Sequence, residues 1–198
     1  MGRFKFDASS LNCDGWRGVA LPGLCALLLL LAVAGHTAVT MLQYERAAIA
    51  KGEAWRLLTA HLVHLGFVHA ALNAAGLALL WALFFRQYSV RQWLMVGLDS
   101  VIAIDAGLWL FDSDVEWYVG LSGVLHGVMA AGTAGRLRNG ERDGWPFAAV
   151  LLAKLAYEQL AGAMPLSAGV GTVIVNAHLY GAIGGLVAAL LQPRRRSL

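Results

Sequence analysis

Five polar side chains interrupt the apolar stretches of this sequence, and together they are the types that acyl-transfer catalysis needs. In chain order they are His69, Asn73, Ser122, His126 and His178. A serine hydroxyl is a weak nucleophile until a base accepts its proton, and a neutral histidine can accept that proton and then pass it to a leaving amine. We expect Ser122 to be the nucleophile and His178 to be its base.

A tetrahedral oxyanion would also need hydrogen-bond donors. His69 and Asn73 are four residues apart, so on a helix they share one face and can point donors at the same place. The backbone N–H group of Ser122, close to the start of its helix, would be a third donor. These residues predict a hydrolytic site that needs no cofactor.

Small residues surround both expected catalytic positions. Gly120, Gly123 and Gly127 accompany Ser122, and Gly181 and Gly185 follow His178 at four-residue spacing. In membrane helices such spacing lets two backbones approach closely. The pattern predicts contact between these two helices, which a serine–histidine hydrogen bond requires.

The elements that must position these residues are membrane-spanning helices. Hydrophobic residues make up 59% of the 198-residue chain and charged residues only 14%, against roughly 25% charged residues in soluble domains. Crossing ~30 Å of hydrocarbon takes about 20 apolar residues. Stretches of that kind lie at 19–40, 66–86, 92–111, 117–136, 146–163 and 171–192. The sequence therefore predicts an all-α membrane protein, a six-transmembrane-helix bundle that occupies residues 1–198 as a single domain.

Lysine and arginine are distributed unevenly between the predicted loops. They occur before the first span, between spans 2 and 3, between spans 4 and 5 and at the C-terminal end, but not in the loops after spans 3 and 5. The loop between spans 1 and 2 breaks this pattern with Arg46, Lys51 and Arg56, and its length and Trp55 suggest a structured interfacial segment, in which charge orients weakly. The positive-inside rule then predicts cytoplasmic N- and C-termini, with a segment at 1–18 and a basic tail at 193–198. Residues 41–65 are predicted to form an outer interfacial loop. The net charge of +3 is spread over helix ends, which argues against a nucleic-acid partner.

In that topology the polar side chains reach one layer of the membrane. Ser122 lies five residues into the fourth span and His178 seven into the sixth, which places both about 8–11 Å below the outer boundary at 1.5 Å per residue. His69 and Asn73 fall at the same depth. We expect a site close enough to the outer surface for water to reach it.

Less specific interpretations fit each feature taken alone. A Gly-x-Ser-Gly string in a membrane helix is commonly a packing face, and a single buried histidine is commonly a satisfied polar residue or part of an ion path. A metal site of His64, His69, His126 and His178 would lack an Asp, Glu or Cys at ligand spacing. Cys13 and Cys25, the only cysteines, do not suggest a disulfide framework. The common depth of the polar residues favours catalysis.

Two charged residues in the fifth span need their own explanation. Lys154 and Glu158 lie four residues apart on one helix face, where Asp99 or Asp105 of the third span could meet them. We interpret them chiefly as a structural ion pair that sets helix register, with recognition of a substrate tail as the alternative. A small transporter built on these charges would need internal repeats, and none is evident in the sequence.

These residues resemble the rhomboid family of intramembrane serine proteases. The shared motifs are Trp55-Arg56 in the first outer loop, His64 with His69-x-x-x-Asn73, Gly120-x-Ser122-Gly123, and Ala177-His178-x-x-Gly181. Each motif alone is weak, but the four occur in the family's order. The resemblance implies a Ser122–His178 dyad with no acidic third member, an oxyanion pocket of His69, Asn73 and the Ser122 backbone, and membrane-anchored protein substrates. It also implies that the Trp55-Arg56 loop sits half in the outer leaflet of the bilayer.

The sequence departs from the family pattern at one position near the site. Many rhomboids carry a tyrosine four residues after the nucleophile, where this chain has His126. An imidazole there could stack on His178 or compete with it as the base. We keep His178 as the base and His126 as its supporting neighbour. No buried carboxylate beside His178 is evident in the sequence, which agrees with a dyad.

Several strings look like those of a subgroup, the rhombosortases. They are Gly-Leu-Ser-Gly-Val-Leu-His-Gly at 120–127, Ala-His-Leu-Tyr-Gly at 177–181 and Lys-Leu-Ala-Tyr-Glu-Gln-Leu at 154–160. That likeness implies a bacterial inner-membrane enzyme with its active site open toward the periplasm. Its substrates would be secreted proteins whose C-terminal sorting tail has a Gly-Gly-type motif, an apolar helix and a basic end. The competing hypothesis is a catalytically inactive membrane chaperone or client-binding protein on the same scaffold.

Overall fold

The computed structural model describes residues 16–164 and 173–193, and most of these residues are helical. In chain order the elements are α1 (Trp16–Val33), α2 (Gly35–Leu42), β1 (Tyr44–Glu45), α3 (Arg46–Ala50), α4 (Arg56–Thr59), α5 (Phe67–Phe84), a 3-10 turn (Phe85–Gln87), α6 (Val90–Leu110), β2 (Trp117–Tyr118), α7 (Ser122–Arg138), α8 (Gly144–Ala161) and α9 (Val175–Leu191). Each predicted span has a corresponding helix among α1, α5, α6, α7, α8 and α9. The predicted helical fold class is confirmed.

These helices differ in whether their length and composition would let them cross a membrane. Phe67–Gln87 and Val90–Leu110 are each long and apolar enough to cross a membrane, with mean hydropathies of 1.8 and 1.5. α1 and α2 meet the same criteria only as a pair, and α9 is apolar but has 17 residues. The chain is therefore a membrane protein. That all six helices cross the bilayer, with both termini cytoplasmic, stays a prediction.

The first predicted span, at 19–40, is not one straight helix. The segments Ala20–Val33 and Gly35–Leu42 are bent by 106° relative to each other. Gly35 has a φ of +64°, a conformation that glycine adopts without the steric penalty of a Cβ atom. The bend directs α2 away from the axis of α1 and leads the chain into β1.

A short strand pair joins the chain before α5 to the chain before α7. β1 and β2 run antiparallel, with Tyr44 opposite Tyr118 and Glu45 opposite Trp117. Next to this pair, the Arg46 guanidinium donates to carbonyl groups near the end of α6, those of Leu108, Trp109, Asp112 and Val115. The last carbonyls of a helix lack intrahelical donors, so this arginine satisfies groups that would otherwise be unpaired. The strand pair thus holds the residues just before Ser122 in place.

α7 and α9 touch along their backbones, as their glycine spacing predicts. A Cβ atom on Gly181 would overlap the carbonyl of Gly123, and one on Gly185 would overlap the carbonyl of Gly127. α9 also packs against α6, where the Tyr180 ring fills the space beside Gly107. α9 is therefore held between α6 and α7, and its register on α7 is tightly constrained.

Charged residues secure the end of α7 that is far from Ser122. Arg136 Nη1 lies 3.1 Å from Glu141 Oε2. Arg138 donates to the carbonyl groups of Ala189 and Gln192 at the end of α9. The Arg138 contacts fasten α7 to α9 at this end and satisfy carbonyls that lack helical partners, whereas the Arg136 contact joins α7 to the loop that follows it.

The predicted approach of Asp99 or Asp105 to Lys154 and Glu158 is wrong. Asp105 Oδ1 instead lies 3.4 Å from His61 Nε2, and both residues are buried. Among the described residues, the ion pairs of Lys154 and Glu158 involve neither aspartate. Asp105 lies on the side of α6 that faces α4, so its side chain meets a loop histidine. Cys25 is a free thiol beside the carbonyl of Ala74, and Cys13 lies outside the described residues.

Candidate active site

Ser122 is the first residue of α7, and the turn before it aims the side chain. Gly120 has a φ of +119°, and its N–H group donates to the carbonyl of Ala60 at 3.0 Å. The next N–H group, that of Leu121, donates to His64 Nε2 at 3.4 Å. Because α7 begins at Ser122, the N–H group of this residue lies in the first turn, where no intrahelical acceptor exists.

The hydroxyl of Ser122 and the ring of His178 meet at hydrogen-bond distance. Ser122 Oγ lies 2.9 Å from His178 Nε2, and the histidine is only 3% exposed. The two residues come from α7 and α9, whose close approach at Gly123 and Gly181 makes this distance accessible. The structure thus brings together the two residues expected to act as nucleophile and base.

A buried carboxylate lies against the other nitrogen of His178. Glu158 Oε2 is 2.9 Å from His178 Nδ1, and Glu158 is 1% exposed. The expectation that no buried carboxylate accompanies His178 is therefore wrong. The rotation of α8 about its axis directs Glu158 toward α9, and the spacing of residues along the chain does not predict this orientation.

The partners of His178 determine which nitrogen carries the proton. A carboxylate can only accept a hydrogen bond, so Nδ1 of neutral His178 carries the proton and donates a hydrogen bond to Glu158 Oε2. Nε2 then presents a lone pair that accepts the hydrogen bond of the Ser122 hydroxyl. This is the tautomer that a base for Ser122 requires.

Lys154 completes a line of polar groups on α8. Its Nζ atom lies 2.7 Å from Glu158 Oε2, one helical turn away. The predicted ion pair between the two residues is therefore present. The Glu158 carboxylate also contacts His178, so the ion pair does more than link two positions of one helix.

His126 stacks on the ring of His178. The His126 and His178 rings lie 4.2 Å apart between centroids, with an interplanar angle of 18°. His126 Nδ1 lies 2.7 Å from the carbonyl oxygen of Ser122, which can only accept, so Nδ1 carries the proton. The described hydrogen bond of Ser122 Oγ goes to His178. His126 thus supports the ring of His178 from one face.

A cavity of about 230 Å³ opens beside Ser122 and His178. Its polar wall includes His69, Asn73, His126 and Lys154, and its apolar wall includes Leu72, Trp117 and Ile174. The structure therefore gathers every residue predicted for the oxyanion pocket and the nucleophile around one space.

His69 and Asn73 line this cavity, and each has polar atoms without a partner. Asn73 Nδ2 donates to the carbonyl of His69 at 3.0 Å, which leaves a second N–H on the same nitrogen. The buried atoms His69 Nδ1 and Asn73 Oδ1 have no hydrogen-bond partner among the described residues. Of the polar groups of these two residues, the free N–H of Asn73 Nδ2 is one that can donate to a ligand.

Of the six residues predicted to support the site, His126 lies in the cavity wall, and the other five do not: Trp55, Arg56, Gly120, Gly123 and Gly181. Arg56 is buried and donates to Glu53 Oε2 at 2.7 Å and to the carbonyls of Thr40 and Gln43. Trp55 is 53% exposed. Gly181 lies at the contact between α7 and α9. Arg56 and Gly181 act on the site indirectly, through the loop before α5 and through helix packing.

His64 lies in the loop before α5 and supports the turn that precedes Ser122. Burial lowers the pKa of His64 to about 4, with a smaller contribution from nearby His69. Neutral His64 can accept the N–H of Leu121 through Nε2, which imidazolium cannot do. This hydrogen bond and the edge-to-face contact of His64 with His69 join the turn to the His69 side of the cavity.

The metal site considered from the sequence differs from the cluster in the structure. Donor atoms of His126, Glu158 and His178, not of four histidines, lie within 4.8 Å of one another. The ammonium group of Lys154 is already paired with the Glu158 carboxylate. A metal cation bound there would have to displace this ammonium group, so the donor set fits an internal ion pair better.

Sequence reasoning missed two residues that shape the site. The four-residue spacing of Lys154 and Glu158 predicts a structural ion pair, although a carboxylate in an apolar helix itself indicates a buried partner. Tyr118 was not considered; its hydroxyl donates to the carbonyl of Gly120 at 2.8 Å. In the sequence, only its position four residues before Ser122 indicated that Tyr118 could lie near the site.

Comparisons with known proteins give one family match and several similar chains. A family model described as the Rhomboid domain matches residues 51–195. The chain is 27% identical to "Putative rhomboid protease YdcA" of Bacillus subtilis, over 72% of this chain and 69% of the relative. It is 27% identical to the uncharacterized protein ML1171 of Mycobacterium leprae, over 72% of this chain and 59% of that protein. A shorter match, 31% identical over 44% of this chain, covers 17% of rhomboid protease GluP of Bacillus subtilis.

Proposed function

Because this chain belongs to the rhomboid family, we propose that it is an intramembrane serine endopeptidase in which Ser122 is the nucleophile and His178 the base. The observation that carries the proposal is the 2.9 Å contact between Ser122 Oγ and His178 Nε2 at the edge of a cavity. The similarity to rhomboid proteases supports the same reaction class.

The reaction follows from the positions of these groups. Ser122 Oγ attacks the carbonyl carbon of the scissile peptide bond while its proton passes to His178 Nε2. The carbonyl electrons move to oxygen, and His69, Asn73 and the Ser122 N–H group donate to the resulting oxyanion. His178 then protonates the leaving nitrogen as the C–N bond breaks. Water then attacks the acyl-enzyme. His178 accepts a proton from the water and returns it to Ser122 Oγ as the acyl group leaves.

The substrates are membrane-anchored proteins, and the rhombosortase-like strings support a narrower class. We propose that the enzyme removes C-terminal tails composed of a Gly-Gly-type motif, an apolar helix and a basic end. Glycine is the smallest residue, so glycines at the cleaved bond would fit into a cavity of about 230 Å³, whose wall includes His126 and Lys154. In this proposal the protein lies in a bacterial inner membrane with its cavity open to the periplasm.

Co-expression with a secreted reporter that ends in such a tail tests the proposal. The natural chain should release the reporter, Ser122→Ala should not, and Ser113→Ala should behave as the natural chain because Ser113 is an exposed loop residue. A fluorophosphonate should label the natural chain and Ser113→Ala but not Ser122→Ala. Release by Ser122→Ala would exclude this nucleophile, and absence of both release and labelling in the natural chain would favour the inactive scaffold.

A further inference from the structure

We propose that Glu158 is a positioning residue of the active site, so that the catalytic set is Ser122–His178–Glu158, with Lys154 as the counter-ion of the carboxylate. This inference rests on the proposed function. It goes beyond the expected dyad, in which His178 would act without an acidic partner.

The geometry of His178 supports this role. Both of its nitrogens are engaged, Nε2 with Ser122 Oγ and Nδ1 with Glu158 Oε2, each at 2.9 Å. The two contacts lie on opposite sides of the ring, and His126 covers one ring face at 4.2 Å. The imidazole is therefore fixed in position, rotation and tautomer before any substrate binds. Such preorganisation is what serine–histidine–carboxylate sites obtain from their third residue.

Charge movement during the reaction gives the carboxylate a second effect. When Ser122 Oγ attacks, its proton moves to His178 Nε2 and the ring becomes a cation. The negative charge of Glu158 then lies 2.9 Å from Nδ1, and in a buried site this attraction is stronger than in water. Glu158 stays ionised throughout, and the proton later passes from Nε2 to the leaving nitrogen.

Lys154 explains how the carboxylate can remain ionised in an apolar helix. Glu158 is 1% exposed, and a buried carboxylate without a partner would be strongly unfavourable. The ammonium group of Lys154 lies 2.7 Å from Oε2, while its side chain also borders the cavity. The ion pair therefore keeps a negative charge beside His178 without a net charge on α8.

A structural ion pair would account for the same two residues only in part. A pair that merely set helix register would be satisfied by Lys154 and Glu158 alone, at their four-residue spacing. Here the same oxygen, Oε2, contacts both Lys154 and His178. A role in aligning the base is the simplest account of that sharing.

The test measures fluorophosphonate labelling of Ser122 in the full chain, purified in detergent, as a maximal inactivation rate and a half-saturating concentration. Glu158→Gln keeps the size of the side chain and removes its charge. We expect the maximal rate to fall about 10⁴-fold, as for loss of the acid in other triads, with the half-saturating concentration within about 3-fold. Glu141→Gln is the matched control, since Glu141 pairs with Arg136 in the loop after α7.

A double variant covers the case in which Glu158→Gln fails to fold. Lys154→Gln combined with Glu158→Gln leaves no unpaired charge in α8, and its labelling rate should be as low as that of Glu158→Gln. If either folded variant labels at a rate within 3-fold of the natural chain, Glu158 has no positioning role. Failure of the proposed function is distinguishable, because the natural chain would then not label, or Ser122→Ala would label as fast as the natural chain.

Discussion

The imidazole of His126 lies nearly parallel to that of His178, with centroids 4.2 Å apart. Its own Nδ1–H is used by the carbonyl of Ser122, so the ring is held in place by the helix that carries the nucleophile. In the proposed mechanism the His126 ring is a flat support for the base, in the position where the family resemblance predicts a tyrosine.

Replacement of His126 by phenylalanine should separate stacking from proton transfer. His126→Phe keeps a flat ring over His178 and should retain kcat within about 3-fold. His126→Ala removes the ring and should lower kcat about 2- to 13-fold, the equivalent of 0.5–1.5 kcal/mol for an aromatic contact. Cleavage of the tailed reporter by the purified variants measures both. A Phe variant as inactive as Ser122→Ala would show that His126 itself transfers a proton.

Lys154 should act through Glu158. Lys154→Gln leaves the carboxylate without its ammonium partner and should lower kcat, while the double variant with Glu158→Gln should be no slower than Glu158→Gln alone. Reporter cleavage by the three variants forms a double-mutant cycle. An increase in KM alone in Lys154→Gln, repeated in the Glu158→Gln background, would instead indicate contact between Lys154 and the substrate.

Asn73 should contribute to stabilisation of the oxyanion. Asn73→Ala removes a donor from the cavity wall and should reduce kcat about 10²- to 10³-fold, the usual effect of losing one oxyanion donor. KM should change little, because the interaction forms mainly in the transition state. Asn139→Ala serves as the control, since Asn139 bonds to Gln87 Oε1 in the 3-10 turn after α5. Equal kcat values for the two variants would contradict the predicted oxyanion pocket.

The contact between α7 and α9 should tolerate no added methyl group. Gly181→Ala places a Cβ atom on the carbonyl of Gly123, and such overpacking costs about 1–3 kcal/mol. The separated helices should also lengthen the Ser122–His178 contact and reduce labelling. Thermal unfolding in detergent measures the stability. Gly97→Ala, where a Cβ atom would meet nothing within 4 Å, should unfold no earlier than the natural chain.

Acidification should destabilise the turn before Ser122 through His64. Its folded-state pKa of about 4 lies below the ordinary histidine value of 6.5, so the folded state disfavours the protonated ring. The stabilisation is complete above pH 6.5 and is lost as the pH falls toward 4, by about 3 kcal/mol at most. His64→Gln should reduce the fall in unfolding temperature between pH 7.5 and 4.5. His36→Gln, at an exposed position, should keep the slope of the natural chain, and equal slopes for His64→Gln would contradict the assignment.

Local patterns in the sequence sufficed for much of the fold and of the site. Apolar runs interrupted by Ser122 and His178 located their helices, because a polar group in an apolar helix needs a partner or a function. The glycines at 123, 127, 181 and 185 identified the helix pair, because only small residues permit backbone contact. The motifs around these residues also identified the rhomboid family, which the match over residues 51–195 confirms.

Other features depend on how the helices are rotated and where the chain turns. The 106° bend after Val33 was not predicted, since an apolar run does not show where its helix breaks. Asp105 meets His61 and not Lys154, because the orientation of α6 depends on every element packed around it.

The residues Ser122 and His178, the helices that carry them and the close approach of those helices followed from the sequence alone, since each depends on local composition and spacing. Only the tertiary structure decided which group contacts Nδ1 of His178. Glu158 is 20 residues from His178 along the chain and belongs to α8. Apolar residues occur all around α8, so its sequence does not indicate which face is buried. The packing of α8 turns that carboxylate toward Nδ1, and so determines that His178 has an acidic partner.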